Sequence, residues 1–280
     1  MPPYISTRAF IQWLPDGERC EPTATTVLTS SRRHFVDVRI FKDRPAIESL
    51  PPVALNSPDI DWAFAGTSAS SKQNGKTLSQ WHHWIDSTTT RPEDVVDKGE
   101  ILPEDAEGLA LEKGSMVNPA TGRLTDYIEG WRDVEPLPVE PVRYPETEEI
   151  MHELRERDVH ISQCTPGYLS DMAVDVTGAK TTSRLSLVVR HENAEADSRG
   201  MVVRLGHLCQ GVMSVGDEFG LEQWEWRGSD RGWCKTHVLG DLEIPCDVLA
   251  RFGETMKLGT RVEYGLGEEK VWECIEAEKF

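Results

Sequence analysis

The sequence predicts an all-β protein, built from short antiparallel strands that form barrels or sandwiches. Three observations lead to this fold class. Strand-like segments follow one another at short intervals, with Gly, Pro, Asn or Ser clusters between them. Helical periodicity is nearly absent from the first half of the chain. A stretch rich in proline and acidic residues separates two series of such segments, which indicates two domains.

The first series contains seven predicted strands, and turn residues separate most of them. Between the last two, the segment Met116–Thr125 predicts a turn, because Pro119 can set φ at the second turn position and Gly122 can adopt a positive φ. The predicted strands are Thr7–Trp13, Thr25–Thr29, Phe35–Phe41, Ile60–Gly66, Gln80–Asp86, Leu109–Glu112 and Thr125–Trp131.

Residues 133–149 alternate proline with acidic residues and form the predicted domain boundary. We expect an N-terminal β-barrel domain over residues 1–135, a connector over 136–149 and a C-terminal β-barrel domain over 150–280. The charged segment Glu148–Arg157 fits either a short helix or an edge strand.

The second series also consists of short strands, and Ile244–Phe252 is expected to add one or two helical turns. The predicted strands are Arg184–His191, Met201–Met213, Leu221–Trp226, Trp233–Val238, Thr260–Tyr264 and Val271–Glu276.

The chain is strongly acidic, with 48 acidic residues against 30 basic ones and a net charge of −18. Such a charge repels phosphate backbones and anionic membrane surfaces, so we expect no nucleic acid partner and no membrane insertion. The first residues lack the apolar region of a signal peptide, and no segment approaches the ~20 apolar residues of a membrane helix. We therefore expect a cytoplasmic protein whose six cysteines are free thiols.

Two predicted strands carry aromatic residues at alternate positions. Trp62 and Phe64 share one face of the first strand, and His82, Trp84 and Asp86 share one face of the second. Rings arranged in this way line either a packed barrel core or a cavity for a small organic molecule. Alternation alone does not distinguish these two roles.

Four short motifs occur in the same order as in the fungal Hri family, which the chain resembles over most of its length. They are Asp-Trp-Ala-Phe-Ala-Gly-Thr (Asp61–Thr67), Trp-Ile-Asp (Trp84–Asp86), the pair Gln210–Gly211, and Trp-Glu-x-Ile-Glu (Trp272–Glu276). The family is named for a yeast member that interacts with a casein kinase I. The resemblance implies two tandem lipocalin-like antiparallel β-barrels, and a protein kinase as one partner. Similar proteins of fungal secondary metabolism include the hetero-Diels–Alderases of tropolone–sesquiterpenoid biosynthesis.

His82 and Asp86 are the predicted catalytic residues. Four positions apart on one strand, they lie ~13 Å from each other, so they would flank a ligand rather than bond directly. A histidine with a pKa near 6.5 can transfer a proton to or from a ligand at neutral pH. The alternative is an exposed pair of histidines at a strand end. We expect no metal site at His82, His83 and Asp86, because adjacent strand residues point to opposite faces.

The predicted ligand-binding residues are aromatic or hydrogen-bonding side chains from both halves of the chain. For the aromatic ones, core packing is the alternative role, and for the polar ones it is hydrogen bonding at a barrel end. We expect no cofactor, because the sequence lacks a phosphate-binding glycine loop, a serine-hydrolase motif and zinc-ligand spacing. The ligand-binding set is Trp62, Phe64, Thr67, Trp84, Tyr127, Trp131, Gln210, Trp224 and Trp226.

Two classes of function fit these features. The first is a cofactor-independent cyclase of an apolar small molecule, most specifically a hetero-Diels–Alderase that joins a tropolone-derived quinone methide to a humulene-type alkene. Holding two reactants together can supply several kcal/mol of the barrier. The second is a non-catalytic protein, either a lipocalin-like carrier or an adaptor for a protein kinase. Both leave open whether the chain forms a homodimer.

Overall fold

The structure, a computed structural model, describes residues 2–43, 52–140, 160–162, 183–265 and 270–280. Within these residues the first half of the chain forms β1 (Tyr4–Trp13), β2 (Thr23–Thr29), β3 (His34–Phe41), β4 (Val53–Leu55), β5 (Ile60–Gln73), β6 (Lys76–Asp86), β7 (Asp97–Leu102), β8 (Ala110–Asn118) and β9 (Arg123–Val134). The second half forms β10 (His160–Ser162), β11 (Leu185–Asn193), β12 (Ser198–Leu205), β13 (Leu208–Val215), β14 (Glu218–Trp226), β15 (Trp233–Leu239), β16 (Arg261–Tyr264) and β17 (Lys270–Lys279).

Strands dominate the described residues, so the predicted all-β class is confirmed. The one α-helix among them is α1 (Cys246–Phe252), which lies within the predicted helical turns. The part of the chain that the structure describes also has three 3-10 turns, at Ser57–Asp59, Pro92–Asp94 and Gly253–Thr255. No helix of the described residues has the length and apolar character that crossing a membrane requires.

The chain divides into two compact units, one formed by Met1–Glu48 and Leu55–Glu135, the other by Ser49–Ala54 and Pro136–Phe280. The predicted domain limits at 135 and 150 stay a prediction, because residues 141–159 lie outside the described ones. For the same reason nothing tests the expectation for Glu148–Arg157.

The first unit is a closed antiparallel barrel with the strand order β1-β2-β3-β5-β6-β7-β8-β9. Pairing of β1 with β9 closes it, from Ile5 opposite Val134 to Trp13 opposite Tyr127. A closed barrel leaves no strand edge unpaired, which protects the barrel from pairing with other chains.

Charged residues on one face of β3 enter the barrel. Phe35, Asp37 and Arg39 lie along its cavity, as the two-residue period of a strand requires. Val36 and Val38, on the opposite face of β3, are also fully buried. The strand is therefore buried on both faces, although one face carries charge.

In the second unit, the strand order is β10-β16-β17-β11-β12-β13-β14-β15-β4, a nine-stranded sheet of the described residues. From β10 to β15, neighbouring strands of this sheet pair antiparallel. This arrangement is compatible with the predicted second barrel. Its core packs α1, through Val248, Leu249 and Ala250, with apolar strand residues that include Leu187 and Trp272.

Two details of the predicted strand set are wrong. The segment Met201–Met213 was expected as one strand, but Gly206 has a φ of +51° and, with His207, forms a tight turn between β12 and β13. The short strands β4, β7 and β10 are absent from the prediction. In β7 the sequence Asp-Lys-Gly-Glu-Ile-Leu has one β-branched residue and no aromatic residue, too few of the residues that mark a strand.

Candidate functional site

A cavity of about 610 Å³ lies inside the barrel of the first unit. One part of its wall is apolar and largely aromatic. Phe35 and Phe64 pack edge to face at 5.6 Å between ring centroids, and Trp62 lies 4.4 Å from Phe64. We call this set the apolar wall, and its members are Val27, Phe35, Trp62, Phe64, Trp81 and Trp131.

Exposed apolar side chains border the cavity. Val96, Val117 and Leu124 line it and are 71%, 60% and 75% exposed. Because these side chains contact both solvent and the cavity, an apolar molecule can enter along an apolar path. A volume of this size is within the usual range for sites that hold drug-sized ligands.

Buried ion pairs form another part of the barrel interior. Arg8 contacts Glu129 at 2.5 Å and Glu21 at 2.7 Å. Arg39 contacts Asp37 at 2.9 Å and approaches Glu129 at 3.8 Å. Burial alone would lower the pKa of Arg39, but Asp37 and Glu129 raise it, so this guanidinium stays charged.

A buried histidine joins two carboxylates to the apolar wall. His83 contacts Asp86 through Nδ1 at 2.7 Å and Asp97 through Nε2 at 3.1 Å. Its ring stacks on Phe64 with centroids 4.2 Å apart. Burial would lower the pKa of His83, but the hydrogen bonds to both carboxylates outweigh that effect and raise it. Asp86 also accepts a hydrogen bond from Trp62 Nε1 at 3.0 Å. The contacts of His83 and the ion pairs of Arg8 and Arg39 described above form a set that we call the charged cluster. Its members are Arg8, Glu21, Asp37, Arg39, His83, Asp86, Asp97 and Glu129.

Glu112 on β8 is a buried carboxyl group that lines the cavity beside the charged cluster. It lies directly opposite Glu129 of β9 in the strand register, so two glutamates share one stretch of the inner wall. Arg8 bonds Glu129, whereas Glu112 accepts a hydrogen bond from the Tyr127 hydroxyl at 3.5 Å. Burial, and then the charges of Glu129 and Asp97, raise the pKa of Glu112 well above its usual range.

Two glycines make room for this pair of side chains. A Cβ at Gly99 of β7 would lie 2.5 Å from a carboxyl oxygen of Glu112. A Cβ at Gly114 of β8 would overlap the Tyr127 hydroxyl. The neighbouring strands therefore accommodate Glu112 and Tyr127 only because both positions lack a side chain.

The family model described as Protein HRI1 matches residues 4–276 of the chain. The chain belongs to the HRI1 family. A crystal structure of an uncharacterized protein from Saccharomyces cerevisiae, YLR301w, is also similar, with a TM-score of 0.62 and 19% identity. The match covers 99% of this chain and 100% of the yeast chain, and at this identity it shows a shared fold alone. No curated protein matches the chain.

Membership of the HRI1 family confirms the family resemblance found in the sequence, while the hetero-Diels–Alderase branch stays a prediction. Four of the predicted ligand-binding residues do line the cavity of this family member. They are Trp62, Phe64, Tyr127 and Trp131.

The predicted shared face of His82, Trp84 and Asp86 is wrong. Ala65 of β5 pairs with Ile85, but the next residue, Gly66, pairs with His83, so Trp84 is an extra residue in a β-bulge. The bulge shifts the alternation by one position. His83 and Asp86 therefore share the interior, and His82 is exposed.

Neither predicted catalytic residue is among the residues that line the cavity. Burial would raise the pKa of Asp86, but hydrogen bonds from His83, Thr88 and Trp62 lower it, which keeps this carboxylate ionised. Thr67 is exposed, and Trp84 also lies outside the cavity lining. Catalytic roles for His82 and Asp86 stay predictions, without the shared face on which they were based.

The three predicted ligand-binding residues of the second half lie in the second unit. Gln210 is buried and accepts a hydrogen bond from Gln223 at 3.0 Å. Trp224 donates a hydrogen bond to Glu222 at 2.9 Å, and Trp226 packs edge to face on Trp233. They satisfy polar groups or fill the core, and they do not join the cavity of the first unit.

Sequence reasoning missed most polar residues of the cavity. Asp37, Arg39, Asp97, Glu112 and Glu129 all line it, yet charged residues at alternate strand positions are ordinarily read as facing solvent. One signal was present in β3. There Asp37 and Arg39 alternate with valines, and phenylalanines lie near both ends of the strand. Among the described residues, no group of three or more His, Cys, Asp or Glu side chains is arranged to hold a metal ion.

Proposed function

We propose that the barrel of the first unit binds a small, mainly apolar organic molecule and promotes its cyclisation without a cofactor. The observation that supports this function is the cavity of about 610 Å³, with an apolar wall on one part and the charged cluster beside it. Aromatic faces suit flat conjugated ligands, and the charged cluster provides a fixed field close to them.

The specific reaction we propose is a hetero-Diels–Alder reaction of fungal secondary metabolism. Loss of water from a hydroxymethyl tropolone gives a quinone methide, and cycloaddition to a humulene-type alkene then forms the new ring with all remaining atoms retained. Electrons are neither gained nor lost overall. The part assigned to the cavity is to hold the two reactants in one orientation, which raises the rate and selects one stereoisomer.

The test is to incubate the purified protein with a hydroxymethyl tropolone and a humulene-type alcohol, and to follow rate and stereoisomer ratio. Ala110→Trp is the cavity-blocking variant, because Ala110 lines the cavity on β8. Ala69→Trp is the matched control, because Ala69 is exposed and lies outside the cavity lining.

We expect acceleration and a single dominant stereoisomer with the wild type and Ala69→Trp, and the buffer result with Ala110→Trp. Rates and ratios equal to those in buffer for all proteins would contradict the cyclase. Ligand binding without acceleration would favour a carrier, and the absence of both would favour the adaptor for a protein kinase.

A further inference from the structure

The charged cluster and Glu112 together hold more negative than positive groups. Three cations, Arg8, Arg39 and His83, contact carboxylates there, with distances from 2.5 to 3.8 Å. Six carboxyl groups surround them if Glu112 is counted, the others being Glu21, Asp37, Asp86, Asp97 and Glu129. A further anion in this interior would be repelled at short range, in a region with little water to screen it.

Glu112 is the carboxyl group least supported by cations. Glu129, directly across from it, contacts both Arg8 and Arg39, and Asp97 contacts His83. The groups that face Glu112 are Glu129 and Tyr127 from β9, Asp97 from β7 and Arg39 from β3. When two buried carboxyl groups share one site, the one with fewer cationic partners retains its proton.

A protonated carboxyl group has an O–H that can donate, unlike a carboxylate. Tyr127 donates toward one oxygen of Glu112, at the long distance of 3.5 Å. Because Glu112 lines the cavity, a ligand oxygen can reach this carboxyl group from the apolar side.

We propose that Glu112 is the hydrogen-bond donor of this cavity, and that the cavity takes neutral ligands whose carbonyl oxygen accepts that bond. The inference rests on the ligand-binding part of the proposed function. It defines the ligand class as a conjugated ketone with an apolar body, and it disfavours ligands that bring a carboxylate up to Glu112.

Four probes that share a naphthalene body test this selectivity by calorimetry. They are 2-acetylnaphthalene, 2-ethylnaphthalene, 2-naphthoate and 2-naphthylmethylammonium. We expect the ketone to bind best at pH 7. The hydrocarbon should bind about 10-fold more weakly, which corresponds to the loss of one hydrogen bond. The anion should bind more weakly still.

Three variants connect the selectivity to Glu112. In the wild type, we expect the affinity for the ketone to decline with rising pH, as Glu112 loses its proton. Glu112→Gln keeps a hydrogen-bond donor but cannot ionise. It should therefore retain the preference for the ketone and bind it with an affinity that does not decline with pH. Glu112→Ala should bind the ketone and the hydrocarbon equally. Glu104→Gln is the matched control, because Glu104 is exposed and lies outside the cavity lining.

Infrared spectroscopy tests the proton itself, without any ligand. The difference spectrum between the wild type and Glu112→Gln at pH 7 should contain the C=O stretch of a protonated carboxylic acid. Its absence would overturn the role of Glu112, whether or not probes bind.

The calorimetric outcomes separate the two proposals. Equal affinity of the wild type for ketone and hydrocarbon would overturn the donor and leave ligand binding intact. Tightest binding of the ammonium probe would show an ionised Glu112 and also overturn the donor. Failure of all four probes to bind would contradict the proposed function, and the ligand class with it.

Discussion

His83 connects the apolar wall to the charged cluster through contacts on three sides. Its two ring nitrogens contact Asp86 and Asp97, and its ring face stacks on Phe64. Because neither His83 nor Asp86 has an exposed side-chain surface, solvent does not screen the contact between them. When protonated, the ring is the cation between the buried carboxylate of Asp86 and the partly exposed carboxylate of Asp97.

The raised pKa of His83 gives the stability of the protein a defined pH dependence. A group with a higher pKa in the folded state stabilises that state below its unfolded pKa, and the contribution is lost as pH rises through the folded pKa. His83→Gln removes the cation, and breaking a buried ion pair in this way costs about 3–5 kcal/mol. Denaturant unfolding should therefore show the largest difference from wild type at about pH 6, declining at higher pH.

His82→Gln is the matched control for this variant, because His82 is the exposed neighbour on the same strand. It should unfold with the wild-type free energy at every pH. A difference between wild type and His83→Gln that stays constant with pH would show that His83 is neutral in the folded protein.

Two tryptophans of β6 differ in their relation to the cavity. Trp81 lines it, and Trp84 lies at the bulge, outside the cavity lining. Ligand-induced quenching of tryptophan fluorescence should therefore fall in Trp81→Phe and stay at the wild-type level in Trp84→Phe. Loss of the response in Trp84→Phe alone would instead support a ligand-facing Trp84, as strand alternation predicts.

At the scale of the element, the bulge in β6 determines which of its residues enter the barrel. A Cβ at Gly66, on the paired strand β5, would overlap the backbone carbonyl of His82. A backbone group cannot move aside as a flexible side chain can. The bulge and the glycine opposite it therefore form one structural feature.

Gly66→Ala should lower the free energy of unfolding by about 1–3 kcal/mol, the usual cost of forcing extra volume into a packed site. Thr67→Ala, at the exposed neighbouring position, should change it by less than about 0.5 kcal/mol. Denaturant unfolding of both variants measures the difference. Equal stability of Gly66→Ala and the wild type would mean that β5 and β6 pair without the bulge.

The alternation of residues predicted β5 correctly and failed in β6. Trp62 and Phe64 share the inner face as expected, because β5 is regular at these positions. In β6 one extra residue exchanges the faces of His82 and His83, and nothing in the local sequence reports it. The turn at Gly206 was missed for a related reason, since Leu205 and Leu208 continue an apolar strand pattern on both sides of it.

The charged wall of the cavity could not be predicted from strand patterns alone. Arg8 and Glu129 are 121 positions apart in the sequence, and they meet only because β1 pairs with β9 to close the barrel. Once that closure is known, the two-residue period of each strand places these groups inside. Whether the polar face of a strand lies inside or outside the barrel depends on which distant strands pair, and a local sequence pattern does not contain that information.

At the scale of the whole molecule, the chain is a member of the HRI1 family with a closed barrel in its first unit and a nine-stranded sheet in the described part of its second. In the second unit, Gln210 accepts a hydrogen bond from Gln223 and Trp224 donates one to Glu222, so the polar atoms of both predicted ligand contacts have protein partners. The cavity of the first barrel therefore carries the proposed function.

Calorimetric titration with 2-acetylnaphthalene tests this central claim most directly, with the wild type, Ala110→Trp and Ala69→Trp compared under the same conditions. We predict saturable binding of one molecule per chain to the wild type and to Ala69→Trp, and much weaker binding to Ala110→Trp, whose indole would occupy part of the cavity of about 610 Å³. Binding to Ala110→Trp with wild-type affinity would place the ligand elsewhere, and no binding to any of the three proteins would contradict a ligand site in this barrel.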